Sequence, residues 1–332
     1  HSKLDPECGL IGLASGITAG AFLTHPIKSL ETVELVGEIE TAARFFSDYN
    51  LNALDDPRHT LVINDGRNQL ALSETKYDII TSEPTNPWIA GVGALFTKEF
   101  FELAQSRLKP GGILCHWMQI YHMREVDIRA AIATVTDAFP YVHLWQGNMS
   151  DLILIASMTP ISLNRETLDA RLQGAVSEDM ERLELVPRES WISYFMTDRD
   201  GLVEYVGDDP QRVTDDNLYL EYSIPRHMFD DESFVSPLTF DRVLKSPQVA
   251  LGGSWSEEEI ARVDRYAKAH RLAVRVHAQG SLSPEYADPF AALESALDMA
   301  PETWLARNTY GNFRNKQAIQ ALQNGDKETA QE

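Results

Sequence analysis

The sequence predicts an α/β fold in which helices cover both faces of a doubly wound, mostly parallel sheet. The main observation is that short strand-like runs alternate with helical patterns through the first half of the chain. A second is Gly147-Asn148 between two further strand-like runs, which predicts a hairpin and an antiparallel edge. A third is the helical pattern after residue 254, which predicts a helical C-terminal tail.

The elements follow in chain order. We predict strands, each short and rich in apolar residues, at 8–12, 30–35, 59–63, 77–81, 113–119, 142–145 and 152–156. The helices predicted between them and in the tail cover 37–46, 97–108 and 126–139, then a helix starting at 254–257 and another at 289–299. Residues 163–232 are mixed, with one strand predicted at 219–223. We place a domain boundary between a region 1–235 and a helical extension 236–332.

Composition excludes several classes of function. The chain has 50 acidic against 29 basic residues and a net charge of −21, which argues against nucleic-acid binding and is compatible with a cationic small substrate. No apolar run approaches the roughly 18 residues of a membrane-spanning helix. Cys8 and Cys115 lie far apart, which excludes a disulfide scaffold and the usual zinc spacing and favours a reducing compartment, the cytoplasm. The histidines 25, 116, 122 and 143 are scattered without carboxylates at ligand spacing, so we expect no metal.

The ends of the first strands carry the candidate binding residues. The turn from Gly12 through Ser15 to Gly16 lies between a strand and a helix, where small residues allow a ligand close to the backbone. Glu34 ends the second strand, 18 residues after Gly16, where an acidic side chain can accept both ribose hydroxyls. Asp65-Gly66 ends the third strand. Each feature alone also fits a tight turn or a solvated carboxylate, but together they predict a crevice for an adenosine-like ligand.

The fourth strand leads into Ser82-Glu83-Pro84-Thr85-Asn86-Pro87-Trp88. Because ligands of open α/β sheets lie outside the carboxyl ends of the strands, Glu83 and Asn86 are expected beside the nucleoside. A carboxylate in that cleft would take a proton from an amine or hold a cation. Trp88 either contacts the substrate or packs on Phe96 and Phe100, and the sequence leaves both open.

In this order, the motifs resemble the spermidine synthase (polyamine aminopropyltransferase) family. The resemblance covers roughly residues 8–229 and rests on segments 12–18, 33–35, 65–67, 77–80, 95–101 and 108–112. Segments 82–88 and 214–217 resemble a branch often fused behind a multi-helix membrane domain. The resemblance implies a Rossmann-like, seven-stranded sheet of the S-adenosylmethionine-dependent methyltransferase type. It also implies S-adenosylmethionine or its decarboxylated form as co-substrate, with a small amine as acceptor.

The resemblance also implies roles for individual residues. Glu34 would hold the ribose, Asp65 the adenine amino group with Gly66 beside it, and the turn from Gly12 to Gly16 would face the methionine-derived part. Glu83 would occupy the place of the catalytic aspartate that deprotonates the amine. Asn86 falls where a second aspartate recognises the cationic acceptor, with Trp88 next to it as a substrate contact.

Three departures from the family pattern affect the chemistry. Ser15 replaces an aspartate that binds the donor's primary amine, Glu83 is one methylene longer than the family's base, and Asn86 carries no charge. The family's N-terminal β-hairpin, which closes the acceptor pocket, has no counterpart between His1 and the first strand. Two alternatives to aminopropyl transfer therefore stay open, namely a methyltransferase on the same nucleoside site and a non-catalytic nucleoside-sensing domain of a membrane protein.

The start of the chain and its assembly also lead to expectations. The first residue is His1, and no signal peptide is recognisable before the first strand, so we expect a piece of a longer protein. Such a protein would either be cytoplasmic or carry this region on the cytoplasmic face of a membrane through a fused upstream domain. A homodimer is the oligomer that we expect.

Overall fold

A computed structural model describes residues 5–230, 235–279 and 288–323. The strands are β1 Glu7–Ile11, β2 Ser29–Glu34, β3 His59–Ile63, β4 Tyr77–Ser82, β5 Leu108–Gln119, β6 Tyr141–Gln146, β7 Asp151–Ser157, β8 Leu163–Asn164, β9 Phe195–Asp198 and β10 Leu251–Gly252. The helices of the first half are α1 Ile17–Thr24, α2 Glu38–Ala43, α3 Gly66–Leu72, α4 Lys98–Arg107 and α5 Glu125–Ala138. Those of the second half are α6 Arg165–Arg171, α7 Ala175–Arg182, α8 Arg188–Ile192, α9 Arg199–Val206, α10 Tyr219–His227, α11 Glu257–Gln279, α12 Pro289–Met299 and α13 Trp304–Gln323.

In the described residues, eight strands form one sheet in the order β3-β2-β1-β4-β5-β7-β6-β9. The first five strands of the chain are mutually parallel, and β7 runs antiparallel to both β5 and β6. The predicted α/β class with a mostly parallel sheet and C-terminal helices is confirmed. The order of strands reverses direction at β1, so the ends of β1, β2 and β4 face a common crevice.

The core of the sheet lies between apolar strands and the helices that cover them. Ile80 and Leu114 in the sheet, Phe100 on α4 and Ile128 on α5 are fully buried and belong to one apolar cluster. The Thr97 hydroxyl accepts a hydrogen bond from the Phe100 N–H at 3.2 Å and thereby caps α4. These contacts hold the strand ends of the crevice on a rigid support.

Two details of the sequence prediction are wrong. The sheet has eight strands rather than seven, because β9, from the region 163–232 whose pattern was mixed, adds a strand to the β6 end. Residues 219–223 belong to helix α10 and not to a strand. Its buried residues Leu220, Ser223 and Ile224 are spaced three and four apart, which is the helical period, so burial on one helix face outweighs the strand preference of tyrosine.

The chain separates into two compact units. The first contains the sheet and, among the described residues, covers 5–179, 196–245 and 249–254. The second contains 180–195, 246–248 and the described residues after 254, with α8, α11, α12 and α13. The predicted domain boundary after residue 235 remains a prediction.

The helix predicted to start at 254–257 is confirmed as α11. The Ser256 hydroxyl accepts a hydrogen bond from the Glu259 N–H at 3.2 Å, and the Glu259 carboxylate accepts one from the Ser256 N–H at 2.8 Å. This reciprocal pair is a capping box. No helix in the described parts of the chain is both long enough and apolar enough to cross a membrane.

Candidate active site

Backbone hydrogen bonds align the carboxyl ends of the first four strands. The Gly12 N–H donates to the Val33 carbonyl at 2.9 Å, and the Glu83 N–H donates to the Ile11 carbonyl at 3.0 Å. On the far side, the Asn64 N–H donates to the Glu34 carbonyl at 3.0 Å. The structure therefore brings the glycine turn, Glu34, Asp65 and Glu83 to one edge of the sheet, as the sequence predicts.

The turn after β1 depends on glycine at its first position. Gly12 has a φ of +98°, and a Cβ placed there would lie 2.9 Å from the Glu83 carbonyl oxygen. A side chain would therefore be strained and would also push against the loop that carries Glu83. Gly16 precedes α1, and no side chain caps the first N–H groups of that helix. These uncapped N–H groups can donate hydrogen bonds to a polar part of a ligand at the turn.

Ser15 lies in the middle of this turn and is half-buried. Its carbonyl accepts a hydrogen bond from the Asn50 side-chain amide at 2.9 Å, which fixes the turn on the buried Asn50. The Ser15 side chain is a neutral hydroxyl. The turn consequently supplies backbone donors but no fixed negative charge.

Glu34 joins the turn to the end of β2. One carboxylate oxygen accepts a hydrogen bond from the Leu13 N–H at 3.0 Å, and the other accepts one from the Val36 N–H at 3.0 Å. A carboxylate has about four lone-pair positions, so two remain for hydroxyl donors. Glu34 is thus preoriented by the backbone and still able to bind the two hydroxyls of a ribose.

Asp65 begins α3 at the end of β3. Its Oδ1 accepts a hydrogen bond from the Asn68 N–H at 2.8 Å, while Oδ2 accepts none from the residues that the structure describes. Gly66 packs directly on β1, because a Cβ there would lie 2.5 Å from the Ile11 Cγ2. The free Oδ2 leaves Asp65 able to accept from an amino group.

Apolar side chains are exposed beside these two carboxylates. Leu35 and Val36 follow Glu34, and Ile63 ends β3 two residues before Asp65; their exposed fractions are 66%, 46% and 49%. Large exposed aliphatic groups between two polar anchors are typical of a surface that a flat apolar ligand covers. The arrangement fits a purine ring with its ribose at Glu34.

Glu83 lies in the crevice opposite helix α1. The Thr18 hydroxyl lies 2.9 Å from Oε2 and 3.1 Å from Oε1 of Glu83, and it donates to this carboxylate. The side chain stays open to solvent from the crevice, but the surrounding protein reduces its hydration. This desolvation raises the pKa of the Glu83 carboxyl above its ordinary value, and the Thr18 hydrogen bond opposes the shift. Sequence reasoning missed Thr18 as a site residue, although it lies in the first turn of the helix facing the crevice.

Aromatic side chains from two segments meet beside the loop that carries Glu83. The Tyr121 hydroxyl donates to the Asn86 Oδ1 at 2.8 Å. The Trp88 ring meets the rings of Tyr121 and His122 edge-on, with centroids 6.1 and 6.0 Å apart. Trp88 packs against the apolar core but is only half-buried, so part of its ring stays exposed. Tyr121 and His122 were missed by the sequence prediction.

The other reactive groups near Glu83 are unsuited to proton transfer. Burial, assisted by the nearby Glu83 charge, raises the pKa of the Cys115 thiol to about 12. Burial among Phe96, Phe100 and Phe101 lowers the pKa of His116 to about 3, so its ring is neutral. His116 is therefore a core residue. In the described parts of the chain, no group of three or more His, Cys, Asp or Glu side chains is arranged to hold a metal ion.

An ion pair joins two of the sequence motifs. The Arg67 guanidinium donates to both carboxylate oxygens of Asp215, at 2.7 and 2.5 Å. The Asp215 N–H in turn donates to Glu99 at 3.0 Å. Arg67 follows Gly66 in α3, so this pair connects the start of α3 to segment 214–217. The pairing lowers the pKa of Asp215 through the Arg67 hydrogen bonds.

Comparison with known proteins identifies part of the chain. Residues 11–150 match the family model of the spermine/spermidine synthase domain. This region is a spermidine-synthase-like domain. It contains every site residue predicted from the sequence, whereas the Arg67 partner Asp215 lies outside it.

Two curated relatives of the spermidine-synthase-like domain are polyamine aminopropyltransferases. The one from Korarchaeum cryptofilum is 27% identical over 170 residues, which cover 49% of this chain and 53% of the relative. The one from Enterobacter sp. (strain 638) is 41% identical over 91 residues, covering 26% of this chain and 31% of the relative. The chain thus spans about half the length of the first relative and about a third of the second. A solved probable spermidine synthase from Corynebacterium glutamicum is 20% identical, with a TM-score of 0.45 over 64% of this chain and 73% of that chain.

Proposed function

We propose that the carboxyl edge of the sheet binds S-adenosylmethionine or its decarboxylated form as a co-substrate. Support comes from Glu34 with free lone pairs for a ribose, Asp65 with a free oxygen for an amino group, and exposed apolar side chains between them. The glycine turn and the uncapped start of α1 accommodate the methionine-derived part. The curated relatives, which are named polyamine aminopropyltransferases, agree with such a donor.

We further propose that the chain transfers an aminopropyl-type group to an amine, with Glu83 as the general base. The observation that carries this proposal is the Glu83 carboxylate, which Thr18 positions in the crevice and whose pKa desolvation raises. A base with a raised pKa accepts a proton more readily near neutral pH. No other titratable group described beside it is suited to this role, since Cys115 and His116 are both held in neutral forms.

The proposed reaction is a displacement at carbon. Glu83 takes a proton from the acceptor's ammonium group and frees the nitrogen lone pair. This lone pair forms a bond to the carbon next to the positively charged sulfur, while the carbon–sulfur bond breaks and its electron pair stays on sulfur. The sulfur becomes a neutral thioether, which leaves as methylthioadenosine when the donor is decarboxylated. Alignment of the two substrates and one base is what such a step needs.

The aromatic group beside Asn86 supports a cationic acceptor. Asn86 supplies no charge, and its amide oxygen already accepts from Tyr121. The faces of tryptophan and tyrosine rings attract ammonium groups, by about 0.5–2 kcal/mol depending on desolvation. Trp88 and Tyr121 would thus take over part of the recognition that a carboxylate provides elsewhere in the family.

An assay of methylthioadenosine release tests this proposal. The full chain is incubated with decarboxylated S-adenosylmethionine and either putrescine, spermidine or no acceptor. We expect release that depends on the amine and yields the corresponding aminopropylated product. Binding of methylthioadenosine without any amine-dependent release would contradict the transfer and leave a nucleoside-binding function.

Methyl transfer is the second candidate, and Ser15 is the observation that favours it. A hydroxyl at this position offers the ammonium group of the decarboxylated donor no charge-assisted hydrogen bond, which costs roughly 1 kcal/mol relative to a carboxylate. We therefore expect little preference for the decarboxylated donor in calorimetric titrations of both donors. Ser15→Asp should shift the preference toward it about fivefold. Strong selectivity of the parent chain for the decarboxylated donor would count against methyl transfer.

The cytoplasmic location, the homodimer and the fused upstream membrane domain remain proposals from the sequence. Size measurement of the full chain in solution tests the homodimer.

A further inference from the structure

A further cavity lies within the unit that contains the sheet. It has a volume of about 440 Å³ and opens to solvent between the start of α5 and helix α10. Its lining includes Arg124, Asn217, Tyr219, Tyr222, Arg226 and His227. Among the described residues that line it there is no Asp or Glu, although the chain has 50 acidic against 29 basic residues. The cavity therefore differs in charge from most of the surface.

Two of its three basic side chains are already matched by acid. The Arg124 guanidinium lies 3.4 Å from the fully buried Asp127 and donates to the Ser223 hydroxyl at 2.9 Å. The Ser223 hydroxyl in turn donates to Asp127 at 2.6 Å. The His227 ring lies 2.8 Å from the Asp230 carboxylate. These contacts fix the wall of the cavity.

Arg226 is the exception. It is exposed on the last turn of α10, and its side chain forms no ion pair or hydrogen bond with the described residues. A guanidinium presents five N–H donors in a planar fork that fits the two oxygens of a carboxylate or phosphate. Arg226 is therefore the one basic side chain of the described lining that no acidic side chain contacts, and its guanidinium has bidentate geometry.

The remaining lining adds flat surfaces and neutral polar groups. Tyr219 is half-buried and Tyr222 is 61% exposed, and neither hydroxyl is hydrogen-bonded to the described residues. Asn217 contributes an amide. A volume of about 440 Å³ exceeds the needs of a monatomic ion and is comparable to pockets for small organic ligands, which measure about 300–1,000 Å³. Tyrosine rings bind such ligands through their faces and edges.

We propose that this cavity binds a small planar organic anion, whose carboxylate or phosphate group is held by Arg226 and whose body lies against Tyr219 and Tyr222. The cavity shares no residue with the crevice of Glu34, Asp65 and Glu83. Anion binding here can therefore be measured separately from the proposed transfer reaction. The site would take an acidic metabolite rather than the cationic acceptor.

The test uses phenyl phosphate and benzoate as anionic probes and benzylamine as a cation of similar shape. Each is titrated into the full chain by calorimetry at low salt. We expect the parent to bind at least one of the two anions and not benzylamine. The anion that binds more tightly shows whether the site prefers a phosphate or a carboxylate group. Arg226→Gln should weaken that binding at least tenfold, while Arg226→Lys should retain part of it because the charge remains.

Lys76→Gln is the matched control, because it removes the same charge from an exposed side chain outside the cavity. We expect this variant to bind the anion like the parent. An equal loss of binding in both variants would overturn the proposal and indicate a general charge effect. Binding of benzylamine as tight as that of the anions, or no binding of either anion, would also overturn it. Methylthioadenosine affinity should be unchanged in Arg226→Gln, so a failure at this site is distinguishable from a failure of the nucleoside site.

Discussion

The proposed nucleoside side of the crevice and its proposed acceptor side are built from different kinds of contact. Glu34 is oriented by the N–H groups of Leu13 and Val36, and Asp65 by that of Asn68. On the acceptor side, Glu83 is oriented by the Thr18 hydroxyl and Asn86 by the Tyr121 hydroxyl. Main-chain donors survive substitution, whereas side-chain donors are lost with one residue. We therefore expect the proposed donor site to tolerate substitution better than the proposed acceptor site.

Glu83→Gln should have the largest effect, because it removes the proposed base and keeps the shape of the side chain. A general base contributes about 10²- to 10⁴-fold to a rate, so we expect methylthioadenosine release to fall by that factor. Affinity for methylthioadenosine should hardly change, since the nucleoside side is oriented by separate backbone contacts. Steady-state kinetics together with calorimetry measure both quantities.

In Glu83→Gln, the side-chain amide oxygen can still accept a hydrogen bond from Thr18. This variant therefore tests the loss of the proton acceptor and not the loss of the contact. Thr18→Val is the companion change, since it removes the hydroxyl that orients Glu83. We expect an intermediate loss of turnover from it. Undiminished turnover in Glu83→Gln would exclude Glu83 as the base.

Gly12→Ala connects the two sides, because the new Cβ would meet the Glu83 carbonyl oxygen at 2.9 Å. Left-handed backbone costs a residue with a Cβ about 1–2 kcal/mol, and the contact adds to that cost. Gly111→Ala is the matched control, since Gly111 has a φ of +76° with nothing within 4 Å of its Cβ. Denaturant unfolding should show a larger loss of stability for Gly12→Ala than for Gly111→Ala. Equal losses would mean that the turn and the Glu83 loop are not in close contact.

Glu34→Ala tests the nucleoside side alone. It leaves ribose hydroxyls without an acceptor and frees two N–H groups, which we expect to weaken methylthioadenosine binding by about 1–3 kcal/mol. Glu34→Gln, which keeps one acceptor oxygen, should lose less. Calorimetric titration of both variants gives the comparison, and unchanged binding in Glu34→Ala would show that the ribose lies elsewhere.

The smallest effect concerns pH. Desolvation raises the pKa of Glu83 above its ordinary value of 4.5, so ionising this carboxyl costs more in the folded than in the unfolded chain. The cost is absent below pH 4.5 and complete above the raised pKa. The neutral Glu83→Gln does not incur it. We therefore expect the stability of this variant relative to the parent to increase with pH across that window and then level off, as measured by urea unfolding at several pH values.

The sequence predicted the positions of Glu34 and Asp65 better than the contacts of Glu83 and Asn86, for a physical reason. The glycine turn, Glu34 and Asp65 each follow a strand directly, so local patterns place them at one edge. The contacts of Glu83 and Asn86 join residues far apart in the chain, since Thr18 and Glu83 are 65 positions apart and Asn86 and Tyr121 are 35 positions apart. No local pattern encodes such pairs. Helix α10 was misjudged because the burial that defines its face depends on the tertiary structure.

The position of β7 determines where this molecule can be divided. The family match ends at residue 150, and β7 begins at Asp151. In the sheet, β7 is inserted between β5 and β6 and forms the hydrogen bonds to both. A fragment that ended with the family match would leave β6 detached and two strand edges open, which invites association of chains. A piece meant to fold on its own must therefore include β7, which begins just after the end of the family match.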